Sequence, residues 1–214
     1  MESKKKAIIA TWGGGSFDCL NPSPDDVDIE DIAKSLSCIC RYTGHVNGFY
    51  SVAQHSVLMS RVPEFDNNGT CLQRLLHDSA EAYIGDIHSP LKSHLCLIHN
   101  HGTLIQRTKA WRQPSVETKI LKAIGEKFGV DIVGGLDAVK EADNRMMATE
   151  VRDLISEKGQ KLFGPWLEGF PPLPHLIIQP WTWQESYREF LYTYNILKGL
   201  ENEHKHKNEE RVVA

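Results

Sequence analysis

Leu75-Leu76-His77-Asp78-Ser79-Ala80-Glu81-Ala82-Tyr83-Ile84-Gly85-Asp86 is the stretch on which the reading of the chain turns. Taken as an amphipathic helix of roughly 3.6 residues per turn, it puts Glu81 on the face of His77, four back, and of Asp78, three back. Three groups able to bind metals or move protons then share one patch beside Leu72, Leu75, Leu76 and Tyr83. On its own this is equally a solvated helix face carrying an intrahelical pair. A metal site needs ligands from other elements.

Upstream, Ser51 opens a helix with Gln54 as its capping-box partner. Val52, His55, Ser56 and Met59 share one face of it, so His55 points inward. A lone inward histidine is ordinarily a hydrogen-bonded core residue. Downstream, a long helix is predicted from about Leu136 to Ile155, with the stripe Leu136, Val139, Asp143, Met146, Met147, Glu150 and Leu154. Asp143 falls inside that stripe. A buried, unpaired carboxylate costs several kcal/mol, so such a group is protonated, paired or metal-bound. An ion pair with Lys140, Arg145 or a distant arginine is the plain alternative. Together His55, His77, Asp78 and Asp143 offer two imidazoles and two carboxylates, a set suited to one divalent ion. Six-coordination would leave about two positions for a water and a substrate oxygen.

The remaining chain reads as a helical domain. Residues 7–20 form a short strand and turn; Gly13-Gly14-Gly15 is no phosphate loop, because no Gly-Lys-Ser/Thr follows. A helix starts at Asp28 as N-cap and runs to about Arg41, with Ile29, Ile32, Ala33, Leu36, Ile39 and Cys40 as its stripe and Gly44 as its stop. Thr70 and Gln73 box the start of the helix carrying His77, and Gly85 ends it. Within 87–114, His94, His99 and His101 show no ligand spacing, and Arg107, Lys109 and Arg112 read as a solvated basic run. Ser115 caps a helix with Ile120, Leu121, Ile124 and Phe128 inside. Residues 164–181, rich in proline and tryptophan, make an ordered connector. Thr182 and Glu185 box a final helix reaching Gly199. Residues 7–200 are expected to be one domain and 201–214 a polar, disordered tail containing His204-Lys205-His206-Lys207.

Composition sets bounds. At 214 residues, 41% hydrophobic and 24% charged, the chain has enough material for one sizeable core. A net charge of −4 argues against a broad nucleic-acid or membrane surface, while permitting a small anionic substrate in a local basic pocket. Cys19, Cys38, Cys40, Cys71 and Cys96 are odd in number and contain no CxxC pair, so a reducing compartment fits best. With no run near the ~20 apolar residues of a membrane span, a cytoplasmic location, in a cell or a virus-infected cell, is expected.

The ordered motifs Asp28-Ile29-Glu30-Asp31-Ile32-Ala33, Cys40-Arg41-Tyr42, Tyr50-Ser51-Val52-Ala53-Gln54-His55-Ser56, the quoted His77-Asp78 segment, Pro90-Leu91-Lys92 and Val139-Lys140-Glu141-Ala142-Asp143 resemble the HD-domain metal-dependent phosphohydrolases. Within that superfamily they are most similar to bacterial 5′-deoxynucleotidases and phage-type proteins, including dATP triphosphohydrolases. Similarity is dense over residues 8–92 and recurs around 139–155. The resemblance implies an all-α HD-domain helical bundle with a minor N-terminal β element. It implies one divalent metal ion (Co, Mn, Zn, Mg or Ni) on His55, His77, Asp78 and Asp143. It assigns phosphate to Arg41, a planar and permanently charged fork, the attacking water to Glu81, and the sugar and leaving oxygen to Asp86. The implied reaction is hydrolysis of the 5′ phosphate ester of a deoxynucleotide, mono- or triphosphate, by a homo-oligomer with no polymeric nucleic acid or membrane partner.

The chain departs from the deoxynucleotidases where a tryptophan follows the arginine. Here that residue is Tyr42, and Thr43-Gly44-His45 replaces an apolar pair. Those positions lie near sugar and base in the family, so base preference does not carry over. Tyr42, His45 and Lys92 are further candidate substrate contacts. Two rival readings are an HD-type di-iron oxygenase, which Glu81 in place of a further histidine disfavours, and a non-catalytic nucleotide-binding domain.

Overall fold

The computed structural model describes residues 6–88, 91 and 115–213, with side chains described as far as residue 202. Lys92, the three histidines at 94, 99 and 101 and the basic run at 107–112 lie outside these residues.

The chain opens with a hairpin, β1 (Ile8–Ala10) against β2 (Ser16–Asp18), antiparallel with Ile9 opposite Phe17. The glycine run makes its turn: Thr11 N donates to the Gly15 carbonyl at 3.0 Å, and Gly14 takes φ +87°. Phe17 is fully buried and stacks on Tyr83, ring centroids 3.7 Å apart. This minor sheet is thereby fastened to a helical body, and the fold is all-α with a small N-terminal β element.

Helix α1 (Ile29–Cys38) starts as expected, with the Asp28 carboxylate accepting from Glu30 N at 2.7 Å. It ends earlier than expected. Ile39 and Cys40 are extended because Cys40 forms an isolated antiparallel bridge with Ser51. A tight 3-10 turn, Arg41–Gly44, follows. Helix α2 (Val52–Arg61) is capped by Ser51 Oγ, which accepts from Gln54 N. Gln54 does not return the bond. Its amide donates to the Gln179 carbonyl and accepts from Trp181 N, tying the proline-rich connector to α2.

Helix α3 (Cys71–Leu76) has the complete Thr70–Gln73 capping box. Helix α4 (Glu81–Ile84) ends at Gly85, φ +79°. Between them, residues 77–80 do not continue an α-helix. Ser79, Glu81 and Tyr83 donate to carbonyls three residues back, so the backbone tightens to about three residues per turn. The single helix expected over this stretch is therefore broken at His77-Asp78, and Asp78 and Glu81 share a face more closely than His77 and Glu81 do.

Helix α5 (Val116–Phe128) has its Ser115 cap and its left-handed Gly129 stop. Helix α6 (Ile132–Leu154) begins a turn earlier than expected despite Gly134-Gly135, since Asp131 caps Gly134 N at 2.8 Å. Gly135 is small for a reason: a Cβ there would sit 2.4 Å from Gln73 Nε2, which donates to the Asp131 carbonyl. Helix α7 (Glu157–Phe163) leads into a 3-10 turn, Gly164–Trp166. The connector beyond it is pinned to α6. Arg152 donates to the Leu173 and Leu176 carbonyls, and Asp153 accepts from Ile178 N.

Helix α8 (Trp183–Val213) opens with the Thr182–Glu185 box and runs past Gly199 through the charged segment that was expected to be disordered. An isolated glycine costs only about 1 kcal/mol in a helix, and the Glu- and Lys-rich continuation has good helix formers. Among the described residues, no helix is long and apolar enough to cross a membrane.

Two apolar clusters hold the bundle. One gathers Phe17, Ile32, Leu36, Val57, Leu75, Leu76, Ile120 and Phe190. The other gathers Tyr50, Met59, Phe65, Val139, Met146 and Ile178. Helix α2 contributes to both, Val57 to the first and Met59 to the second, and between these two residues and its N-cap it carries His55.

Candidate metal centre

His55 is fully buried on α2. Its Nδ1 lies 2.5 Å from Glu150 Oε1 and donates to that carboxylate, so in the neutral ring Nε2 keeps its lone pair. His77 is oriented the same way: its Nδ1 donates to the Arg74 carbonyl at 2.7 Å, leaving Nε2 to point inward. The two Nε2 atoms are 3.4 Å apart. Asp78 Oδ2 is 3.1 Å from His77 Nε2 and 3.7 Å from His55 Nε2. One ligand atom from each of His55, His77 and Asp78 falls within 4.8 Å of the others, a group that could hold a metal ion. Asp143 Oδ1 approaches from α6, 3.6 Å from His55 Nε2, while its Oδ2 pairs with Lys140 at 3.1 Å.

Behind these residues stands Glu150, one turn from the C-terminal end of α6 and fully buried. Besides His55, it accepts from Tyr50 at 2.9 Å, Tyr42 at 2.5 Å and Arg41 Nη2 at 3.3 Å. Burial favours its neutral form, but Arg41, His55 and the tyrosine bring its pKa down to about 2. Burial and the Glu150 charge push both tyrosines well up, keeping them as phenol donors. Burial also opposes charge on His77, yet the Asp78 carboxylate, with Asp143 nearby, lifts its pKa to about 9. Asp78 is half-buried, which opposes its charge, yet His77, His55 and Arg41 hold it well below the usual carboxylate range.

Arg41 bridges this cluster, with Nη1 to Asp78 and Nη2 to Glu150, both at 3.3 Å. The turn that aims it is strained: Tyr42 and Thr43 both have left-handed backbones, φ 56° and 55°. For a β-branched threonine this is a sterically costly state. Arg41 N donating to the Tyr50 carbonyl and the Tyr42 hydroxyl on Glu150 hold the turn in place.

The cluster floors a cavity of about 1060 Å³ whose lining includes Arg41, Tyr42, His77, Asp78, Glu81 and Asp143. His55 lies beneath that floor. Glu81 is buried at the start of α4, and Asp86 follows Gly85 along the wall.

Over 196 residues the chain is 39% identical to the uncharacterized protein YfdR of Escherichia coli K12, an alignment covering 91% of this chain and 97% of that protein. The chain belongs to the YfdR family. It is also 28% identical over 172 residues to an uncharacterized protein of Rhodobacter capsulatus, covering 75% of this chain and 81% of its relative. No family model matches the chain.

For this YfdR-family member, the structure brings together every candidate site residue that it describes. His55, His77 and Asp78 form the group that could hold a metal, Asp143 stands beside it 3.6 Å from His55, and Arg41, Glu81, Asp86, Tyr42 and His45 line the cavity above, His45 at its exposed rim. Lys92 lies outside the described residues. Several contributors carried no role in the sequence reading. Glu150 stood in the same apolar stripe as Asp143, and the argument about buried carboxylates applies to it with more force. Arg74 gave no signal, since its three backbone acceptors are the carbonyls of Met59, Phe65 and Gly69, which only the fold gathers. Lys140, which pairs with Asp143, also lines the cavity, as does His88.

Proposed function

We propose that the chain is an HD-type, metal-dependent phosphohydrolase acting on the 5′ phosphate ester of a deoxynucleotide. The observation that carries this reading is the meeting of His55 Nε2, His77 Nε2 and Asp78 Oδ2, with Asp143 Oδ1 3.6 Å from His55 Nε2, under a cavity that also holds Arg41 and Glu81. Both imidazoles have Nδ1 committed to an acceptor, so their Nε2 lone pairs and the carboxylate oxygens face one another. Such a set of acceptors is stable around a cation or a proton. His55, His77, Asp78 and Asp143 would hold one divalent ion, of the class Co, Mn, Zn, Mg or Ni. Such an ion acidifies water and polarises a phosphoryl oxygen.

The chain's own groups supply the rest. Arg41 uses two of its five N–H donors on Asp78 and Glu150, and its remaining fork serves a phosphoryl oxygen. This places permanent positive charge where negative charge develops in the transition state. Glu81, three residues after Asp78 on a turn of about three residues, takes the proton of the attacking water and orients it. Asp86, at the end of the same segment, serves the departing 5′ oxygen and the sugar.

The test is a panel of metal-stripped protein reloaded with manganese, cobalt, zinc, magnesium or nickel, offered deoxynucleoside mono-, di- and triphosphates. Nucleoside and phosphate products are both analysed. Release of phosphate or tripolyphosphate together with nucleoside supports the reading. No turnover with any metal, or oxygen uptake with two iron equivalents per chain, overturns it.

A further inference from the structure

We propose that Phe163 and Trp166 form a stacking wall for the flat ring of the substrate, an inference that rests on the phosphohydrolase reading of the same cavity. A single exposed tryptophan on a protein surface means little. Trp166 is different in three respects. It is 62% exposed yet lines the cavity whose floor carries His77, Asp78 and Asp143. It belongs to a continuous line of rings: Trp166 meets Phe163 edge-on at 6.0 Å, and Phe163 meets Tyr42 edge-on at 5.9 Å. That line ends on the metal centre, because the Tyr42 hydroxyl bonds Glu150, which bonds His55.

The wall is also held rigidly with respect to the ligands. Ser156 Oγ caps α7 by accepting from Gly159 N, and the Gln160 amide donates to the Arg152 and Ile155 carbonyls at the end of α6. Pro165 restricts the backbone of the turn, and Leu167 N closes it on the Phe163 and Gly164 carbonyls at 3.2 Å. Helix α6 carries Asp143 and Glu150, so one element sets both the centre and the wall. An ester whose phosphate sits above Asp78 projects its other end into the cavity, where the wall offers an aromatic face. A planar heterocycle gains from that face, and an aliphatic group does not. Stacking reads the face of a base and not its hydrogen-bonding edge, so the wall selects nucleotides as a class and accepts different bases.

The experiment compares wild type, Trp166→Ala and Trp166→Phe on a deoxynucleotide and on glycerol phosphate, an ester with no ring. Trp166→Ala is expected to lower the ratio of kcat/KM for the nucleotide to that for glycerol phosphate about tenfold, the order of one base–ring stack, chiefly through KM. Trp166→Phe should restore most of the ratio, which a merely structural role would not require. An unchanged ratio in Trp166→Ala overturns the proposal. If no ester is hydrolysed, the phosphohydrolase reading fails separately, and calorimetric titration with the deoxynucleotide decides the wall alone. A roughly tenfold weaker Kd in Trp166→Ala supports it. Equal affinity, or no binding by the wild type, overturns it.

Discussion

His55 Nδ1 and Glu150 Oε1 lie 2.5 Å apart, in two side chains that are both fully buried. This contact sets which nitrogen of His55 faces the candidate metal centre. Replacing Glu150 by Gln keeps the shape and removes the charge that fixes the tautomer. Glu150→Gln is expected to weaken divalent-metal affinity by roughly 10–100-fold, the usual cost of losing a carboxylate behind a histidine ligand. Metal titration by calorimetry checks this, and wild-type affinity would remove Glu150 from the centre.

On the proposed reading, Asp78 and Glu81 separate metal binding from turnover. Asp78→Ala is expected to abolish both. Glu81→Ala should keep the metal and lose most turnover, on the order of 10²-fold or more for a group that handles a proton in the transition state. Metal content measured beside the hydrolysis rate distinguishes the two. Full activity in Glu81→Ala would exclude it from the mechanism.

The His77–Asp78 pair makes the metal-stripped protein sensitive to pH. His77 is raised from 6.5 to about 9 in the folded chain. A raised histidine contributes stability that is fully present below its unfolded value and lost as pH climbs through the folded one. The unfolding free energy from urea titration in chelator should therefore fall between about pH 6.5 and 9, by up to ~3 kcal/mol. The same proton must leave for a cation to bind, so metal affinity should rise over that interval. A flat urea profile there would contradict the pairing.

Arg74 is a structural anchor for the same centre. It is 1% exposed, donates to the carbonyls of Met59, Phe65 and Gly69, and offers its own carbonyl to His77. Arg74→Met leaves those carbonyls without their donor, so a loss of about 3 kcal/mol or more is expected in urea unfolding. Arg74→Lys should recover little, because an ammonium cannot span three carbonyls with a planar fork. A change under about 0.5 kcal/mol would mean that the loop relaxes around the gap.

Much of this arrangement was legible in the chain. The caps at Asp28, Thr70, Ser115 and Thr182 act over two or three residues, and each stands where local pattern placed it. So does the inward face of α2 that buries His55. The break at 77–80 was not legible, since helical spacing of apolar residues does not distinguish an α-turn from a tighter one. Nor was the run of α8 past Gly199, where polar composition argued for a tail and helix propensity for a continuation.

Short-range pattern supplied an all-α body, a β hairpin at its start, and a set of histidines and carboxylates on inward faces. The meeting of those faces depends on the packed bundle. His55 and Glu150 are 95 residues apart, Arg41 and Glu150 are 109, and neither pairing has any signature within one helix. Backbone hydrogen bonds and caps are satisfied among near neighbours, so they leave their mark locally. The partners of a buried charge are chosen by which helices pack together, and only the tertiary fold brings Glu150 under His55, Tyr42 and Arg41.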